Sequence, residues 1–190
     1  ETTAGNPIYL FDAETGKEVL QQSSHSDWVL DTVFTHKGDQ LVSVGRDMSA
    51  KLTEVATQRF IDNISSITPG ALRGGLQTVA RHPERDEFVV GGADGVPQAY
   101  RLNRKVQRRI GDNALCIRKW QPMEGRIYDM AFAPDGKKFA ASSSLDGKGT
   151  VNFYNYDFDT TMPDEFVKIE GKSVEERSGE EKKKLDDHYH

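Results

Sequence analysis

WVLDTVFTHKGDQLVSVGRDMSAKLTEV (28–55) decides how the rest of the chain is read. An apolar stretch ends in the polar turn HKGD, a second apolar stretch ends in Gly, Arg and Asp, and an alternating stretch follows. The same order returns in GLQTVARHPERDEFVVGGADGVPQAYRL (75–102) and in RIYDMAFAPDGKKFAASSSLDGKGTVNFYNYD (126–157). The landmarks Leu41, Phe88 and Phe139 lie 47 and then 51 residues apart, and Asp47, Asp94 and Asp146 lie 47 and then 52 apart. A period of this length marks an array of supersecondary units rather than one continuous fold.

Within each unit the pattern is that of strands. Short apolar runs bounded by Gly, Asn, Asp and Pro predict strands near 28–35, 40–45 and 50–55, with RFIDNISSI (59–67) as a fourth. The second copy predicts 76–81, 87–92 and 97–102, with CIRKW (116–120) delayed by the insertion NRKVQRRIGDNAL (103–115). The third predicts 126–133, 138–144 and 149–156, with EFVKIEGK offered as its fourth strand. Upstream, PIYLFD and EVLQQ around the turn AETGK read as the last half of a preceding unit. Ser178 stands three residues before Glu181, a capping-box spacing that predicts a charged helix from 178 onward.

Four short antiparallel strands cannot stand alone, so both faces of each sheet must be covered by neighbours. Inner strands such as QLVSVG and EFVVGG are apolar throughout, whereas RFIDNIS and CIRKWQ turn polar, as radial stacking around an axis requires. The expected fold is therefore all-β, a propeller fragment of about three and a half four-stranded blades with a short helical C-terminal tail. The expected units are 1–24 as the second half of a blade, 25–67 as a blade, 68–125 as a blade with the basic insertion 103–115, 126–170 as a blade and 171–190 as the tail. A start at Glu1 and a charged stretch ending at His190 suggest a piece of a longer protein.

Composition bounds the chemistry. A net charge of −5 argues against nucleic acid as a partner, and no apolar run is long enough to span a membrane. The lone Cys116 permits no intrachain disulfide and reads as a small buried hydrophobe. No nucleophile elbow, phosphate-binding glycine loop, HExxH or paired His/Cys set occurs, so no catalytic residue, cofactor or metal is assigned. The aspartates Asp47, Asp94 and Asp146 fit turns, where the carboxylate bonds nearby backbone. His25 lacks a second ligand at metal spacing and reads as structural, and His36 and His82 fall in what read as exposed turns. The charge anomaly is Arg101, Arg104, Lys105, Arg108 and Arg109, a basic group that could dock an acidic partner or pair with the acidic tail. Trp28 and Met48 lie near loops at one end of the array, where partners are expected to bind.

The copies resemble WD repeats, whose pattern runs Gly-His, V-x-F-S-P-D-G, S-G-S-x-D and a strand ending near Trp-Asp. FAPDG (132–136) is nearly that first turn, HSDWVLDTVF (25–34) matches the segment after the His, and SVGRD, GGAD and SSSLDG fill the second-turn slot. The resemblance implies a buried hydrogen-bonded set of His, Ser/Thr, Asp and Trp in each repeat. Carried over, it takes His25, Ser43 and Asp47 in the first copy, with Thr53 in the Trp slot. In the second it takes Asp94 and Tyr100, and in the third Ser142, Asp146 and Tyr154. It implies a non-catalytic scaffold that binds other proteins or other domains of the same polypeptide. GRDMSAKLTEVATQ, VVGGADG, IGDNALCIRKW and SSSLDGKG further resemble WD-repeat proteins of planctomycete-type bacteria, often exported and preceded by a c-type cytochrome domain. That finer resemblance implies, as an alternative, an accessory propeller in the periplasm or cell envelope beside a redox centre outside this chain.

Overall fold

In β8 (Glu87–Gly92) successive side chains serve two different interfaces. Phe88 and Val90 point one way and Val89 the other, and all three are buried. A strand apolar on both faces requires a sheet against each. The computed structural model, which describes residues 6–65, 74–102, 115–173 and 175–189, meets that demand by stacking sheets in chain order.

A two-stranded hairpin comes first, β1 (Ile8–Phe11) paired with β2 (Glu18–Gln22). The first full sheet is β3 (Val29–Phe34), β4 (Gln40–Gly45), β5 (Ala50–Glu54) and β6 (Phe60–Asn63), joined in that order. The second is β7 (Leu76–Arg81), β8, β9 (Gln98–Arg101) and β10 (Cys116–Lys119). The third holds β11 (Arg126–Phe132), β12 (Lys138–Leu145) and β13 (Lys148–Asn155). All pairings are antiparallel meanders, and the first strand of each sheet lies beside the first strand of the next.

The strand registers make the repeats comparable residue by residue. A bulge between Val29 and Asp31 recurs between Leu76 and Thr78 and between Ile127 and Asp129. Phe34 pairs with Leu41, Arg81 with Phe88 and Phe132 with Phe139. Just beyond the bulge in the second sheet, the Val79 N–H donates to Asp31 Oδ2 of the neighbouring sheet at 2.9 Å, and Thr78 Oγ1 donates to the same oxygen at 3.0 Å.

Two apolar layers result. Val42, Val44, Ala50 and Leu52 of the first sheet meet Leu76, Val79, Phe88, Val90 and Tyr100 of the second. Ala80, Val89, Ala99 and Ile117 on the reverse side meet Ile127, Met130, Phe139, Ala141 and Tyr156. Cys116 is buried in the first layer.

The third sheet departs from expectation. EFVKIEGK (165–172), offered as its fourth strand, instead falls largely in the helix α1 (Asp164–Glu170). Pro163 at its N-cap has φ −58°, and Asp164 and Glu165 fill the first turn, where negative charge meets the helix dipole favourably. The alternation of Phe166, Val167 and Ile169 that suggested a strand instead lays an apolar stripe on the first layer. Helix α2 (Gly179–Tyr189) follows, with Ser178 and Glu181 forming the reciprocal cap: Glu181 N–H donates to Ser178 Oγ at 3.1 Å and Ser178 N–H to Glu181 Oε2 at 2.9 Å. Leu185 packs it on the same layer.

Candidate interaction face

The turns at the β4–β5 end of the first sheet are held by a buried hydrogen-bond chain. His25 Nδ1 lies 3.0 Å from both oxygens of Asp47, and His25 Nε2 lies 2.8 Å from Ser43 Oγ. A carboxylate only accepts, so the ring proton is on Nδ1 and the Ser43 hydroxyl donates to Nε2. Asp47 also accepts from Ser49 Oγ at 2.7 Å and from Ser26 N–H at 3.1 Å. Burial works to raise the Asp47 carboxyl, but the hydrogen bonds from His25 and Ser49 outweigh it and hold it at about 2. Ser, His and Asp stand here in the order of a hydrolase triad. The Ser43 hydroxyl is buried within the sheet, so it is closed to solvent.

Thr53, Tyr100 and Tyr154 occupy one equivalent position, paired with Leu41, Phe88 and Phe139. None continues the network of its own repeat as a Trp would. Thr53 Oγ1 is buried without a partner, and Tyr100 OH donates to Gln98 Oε1 at 2.8 Å. Tyr154 stacks on Phe139 with ring centroids 4.8 Å apart.

Asp94 matches Asp47 in position and in work, accepting from the N–H two residues on, at Val96. Ser142 and Asp146 do not match Ser43 and Asp47. Ser43 pairs with Thr32 and its counterpart on β12 is Ala141, so Ser142 takes the opposite face of the strand. Asp146 (φ 49°) and Gly147 (φ 79°) form a two-residue hairpin turn in place of the wider loop around Asp47. The difference between spacings of 51 and 52 residues was the sign of this slip.

His82 is a second correction. It read as an exposed turn residue and is instead buried at the junction of the second and third sheets. Its Nδ1 accepts from the N–H groups of Glu84 and Arg85 at 3.1 and 3.0 Å, and its Nε2 lies 3.1 Å from both the Gly136 carbonyl and the Arg85 Nε. Burial first, and then the Arg85 guanidinium, lower its pKa and keep it neutral. Beside it Glu87 accepts from Tyr156 OH at 3.1 Å and from Thr160 Oγ1, and pairs with Arg85 at 3.4 Å. Burial and then Glu87 push the Tyr156 phenol well above its usual range.

Trp28 is 61% exposed, with the Arg46 guanidinium 5.1 Å from its ring centroid. Met48, with φ 61°, is exposed in the same set of turns. The Asp47 network thus fixes the loop that carries Arg46 and Met48. Arg101 points elsewhere, donating to the carbonyls of Cys116 and Thr160 and so tying the outer strand to the C-terminal segment. Arg104, Lys105, Arg108 and Arg109 lie outside the described residues.

Among the described residues no cluster of His, Cys, Asp and Glu is arranged to hold a metal, and no helix is long and apolar enough to cross a membrane. No match to the chain is found among curated proteins. Residues 115–154 match the family model described as WD domain, G-beta repeat, a span that takes β10 from the second sheet and nearly all of the third. That match and the successive antiparallel meanders support the reading of this chain as a WD-repeat β-propeller fragment, of a family that generally serves protein interaction.

Proposed function

We propose that the chain is a non-catalytic interaction module of a larger protein, holding other proteins or other domains of the same polypeptide on the loops around Trp28, Arg46 and Met48. The observation that carries this is the exposed Trp28 indole, set on a sheet whose turns are locked from beneath by His25, Ser43 and Asp47. Large aromatics exposed on rigid loops are expensive in water and are characteristic anchors of interfaces. Burial of Ser43 and His25 gives hydrolysis at that Ser-His-Asp set no support.

The test is affinity capture from native lysate with the intact chain, beside a Trp28→Ala/Met48→Ser variant and a variant lacking 103–115. A specific partner lost from the first variant and kept by the second supports this face. Equal recovery by the intact chain and the Trp28→Ala/Met48→Ser variant rejects it, and loss only on deletion moves the contact to the basic insertion.

A further inference from the structure

Trp28, Gly75 and Arg126 are one structural position seen in three sheets. Each stands immediately before the inner-strand residue that precedes the bulge, namely Val29, Leu76 and Ile127. Arg46, Ala93 and Ser144 are likewise equivalent: Arg46 N–H donates to the Trp28 carbonyl, Ala93 N–H donates to that of Gly75, and Ser144 pairs with Arg126. The middle sheet therefore has glycine where its neighbours have Trp28 and Arg126, and Ala93 where the first sheet has Arg46. A cleft of about 270 Å³ lies there, lined by Gly74, Gly75 and Ala93 together with Arg46 and Arg126. Glycine at 75 is fixed by packing, since a Cβ there would stand 2.8 Å from Arg46 Cα.

The chemistry of the walls is specific. Arg126 is exposed, and no ion pair of its guanidinium occurs among the described residues. Arg46 faces Asp27 at 3.8 Å with both side chains about half exposed, a contact worth little and easily exchanged. Two guanidinium forks across one cleft match a carboxylate, which each can grip through paired N–H donors. The Trp28 indole beside Arg46 offers an apolar surface to the residue next to that carboxylate. Asp27 on the rim and the chain's net charge of −5 disfavour a dense polyanion.

We propose that this cleft binds an acidic peptide segment, an Asp or Glu carboxylate lying between Arg46 and Arg126 with an apolar neighbour against Trp28. This deepens, and rests on, the reading of the same loops as an interaction face. It makes Arg126 the selecting residue and Trp28 the anchor.

The probe is a labelled peptide, acetyl-Glu-Glu-Phe-Glu-Glu-amide, titrated into the intact chain by fluorescence anisotropy and followed through Trp emission. A Trp28→Phe variant isolates the signal from Trp120, the chain's other tryptophan. Saturable binding should weaken about tenfold or more in Arg126→Ala and in the all-Gln peptide, and should weaken with added salt. Arg126 is exposed, so its loss leaves the fold intact, which a thermal melt checks. Three results would each overturn the proposal: no saturation by millimolar peptide, a change under twofold in Arg126→Ala, or equal displacement by inorganic phosphate, which would mark an unselective anion cleft. If lysate capture still depends on Trp28 while the peptide fails, the interaction face stands and this ligand assignment falls.

Discussion

The first sheet and the junction between the second and third sheets solve one problem in two ways. The first sheet is braced from within, by His25, Ser43, Asp47 and Ser49, all in one repeat. The junction is braced across sheets, by His82, Glu87, Gly136 and Tyr156, partners up to 69 residues apart. In a repeat array, stability divides between terms inside each unit and terms between neighbours. Asp31 already ties the first sheet to Thr78 and Val79 of the second, and the next junction adds a buried His82–Glu87–Tyr156 group to that kind of bond. The degenerate repeats are therefore not loosely held; they are held by someone else.

The sharpest way to break the contrast is Tyr156→Ala. Its ring packs against His82, Trp120, Phe132, Phe139 and Phe158, and its hydroxyl serves Glu87. Removal should cost about 3–5 kcal/mol, read as a fall in the denaturant midpoint. Tyr156→Phe keeps the ring and should cost about 1–3 kcal/mol by orphaning part of the buried carboxylate. A loss under about 1 kcal/mol in Tyr156→Ala would show that the junction is not where the third sheet is held.

Gly136→Ala comes next, at about 2–4 kcal/mol. Its φ is 69°, and an added Cβ would meet the His82 ring at 2.5 Å, so backbone and packing object together. If the loss in Gly136→Ala/His82→Ala equalled the sum of the two single losses, the clash would be irrelevant and backbone strain would explain the Gly136→Ala loss.

The two regions should also part company with pH. His82 has a lowered pKa when folded, so its contribution is whole above the ordinary value of 6.5 and declines as pH falls below it. Asp47 is depressed from 3.8 to about 2, so its contribution, about 2 kcal/mol, is whole above pH 3.8 and is lost as pH falls through about 2. Amide exchange should loosen at the junction first and at the first sheet only in stronger acid. In Asp47→Asn the acid step should vanish while the step below 6.5 persists.

The smallest effect has the opposite sign. Thr53→Val replaces a buried hydroxyl without a partner by a methyl group, and should be neutral or stabilise by up to about 1 kcal/mol. A clear loss would mean that the Thr53 hydroxyl has a role in the first sheet's network.

Strands were legible because their cause is local. Alternation and turn residues placed QLVSVG and EFVVGG within a residue of where they lie. The Ser178–Glu181 cap is equally local, as is the Asp47 loop. Helix α1 escaped because Phe166, Val167 and Ile169 satisfy either period, and the deciding signals were Pro163 and the acids after it. Ser142 and Asp146 escaped because one residue of register reverses a strand's faces. Glu87 and Tyr156 could not be read at all, since nothing local says that a charge at the start of one strand will meet a phenol 69 residues later. Of the proposed interaction face, Trp28 was legible by type, but Arg126 became meaningful only once the register made it the counterpart of Trp28 and Gly75.

The span that matches the family model begins on β10, one sheet earlier than the sheet it mostly builds. Ancestry and folding thus count in different units. A copy made at that boundary does not add a free-standing block; it adds a strap, one end woven into the edge of the sheet already present and the other opening a new one. The exposed side of β13 shows the forward end of that weave. Phe153 is 77% exposed where its counterparts Leu52 and Ala99 are 2% and 0% exposed. Growth by overlapping straps is hard to fray, because no cut between copies falls between sheets. It is also hard to shuffle, because every exchange must carry its neighbour's hem.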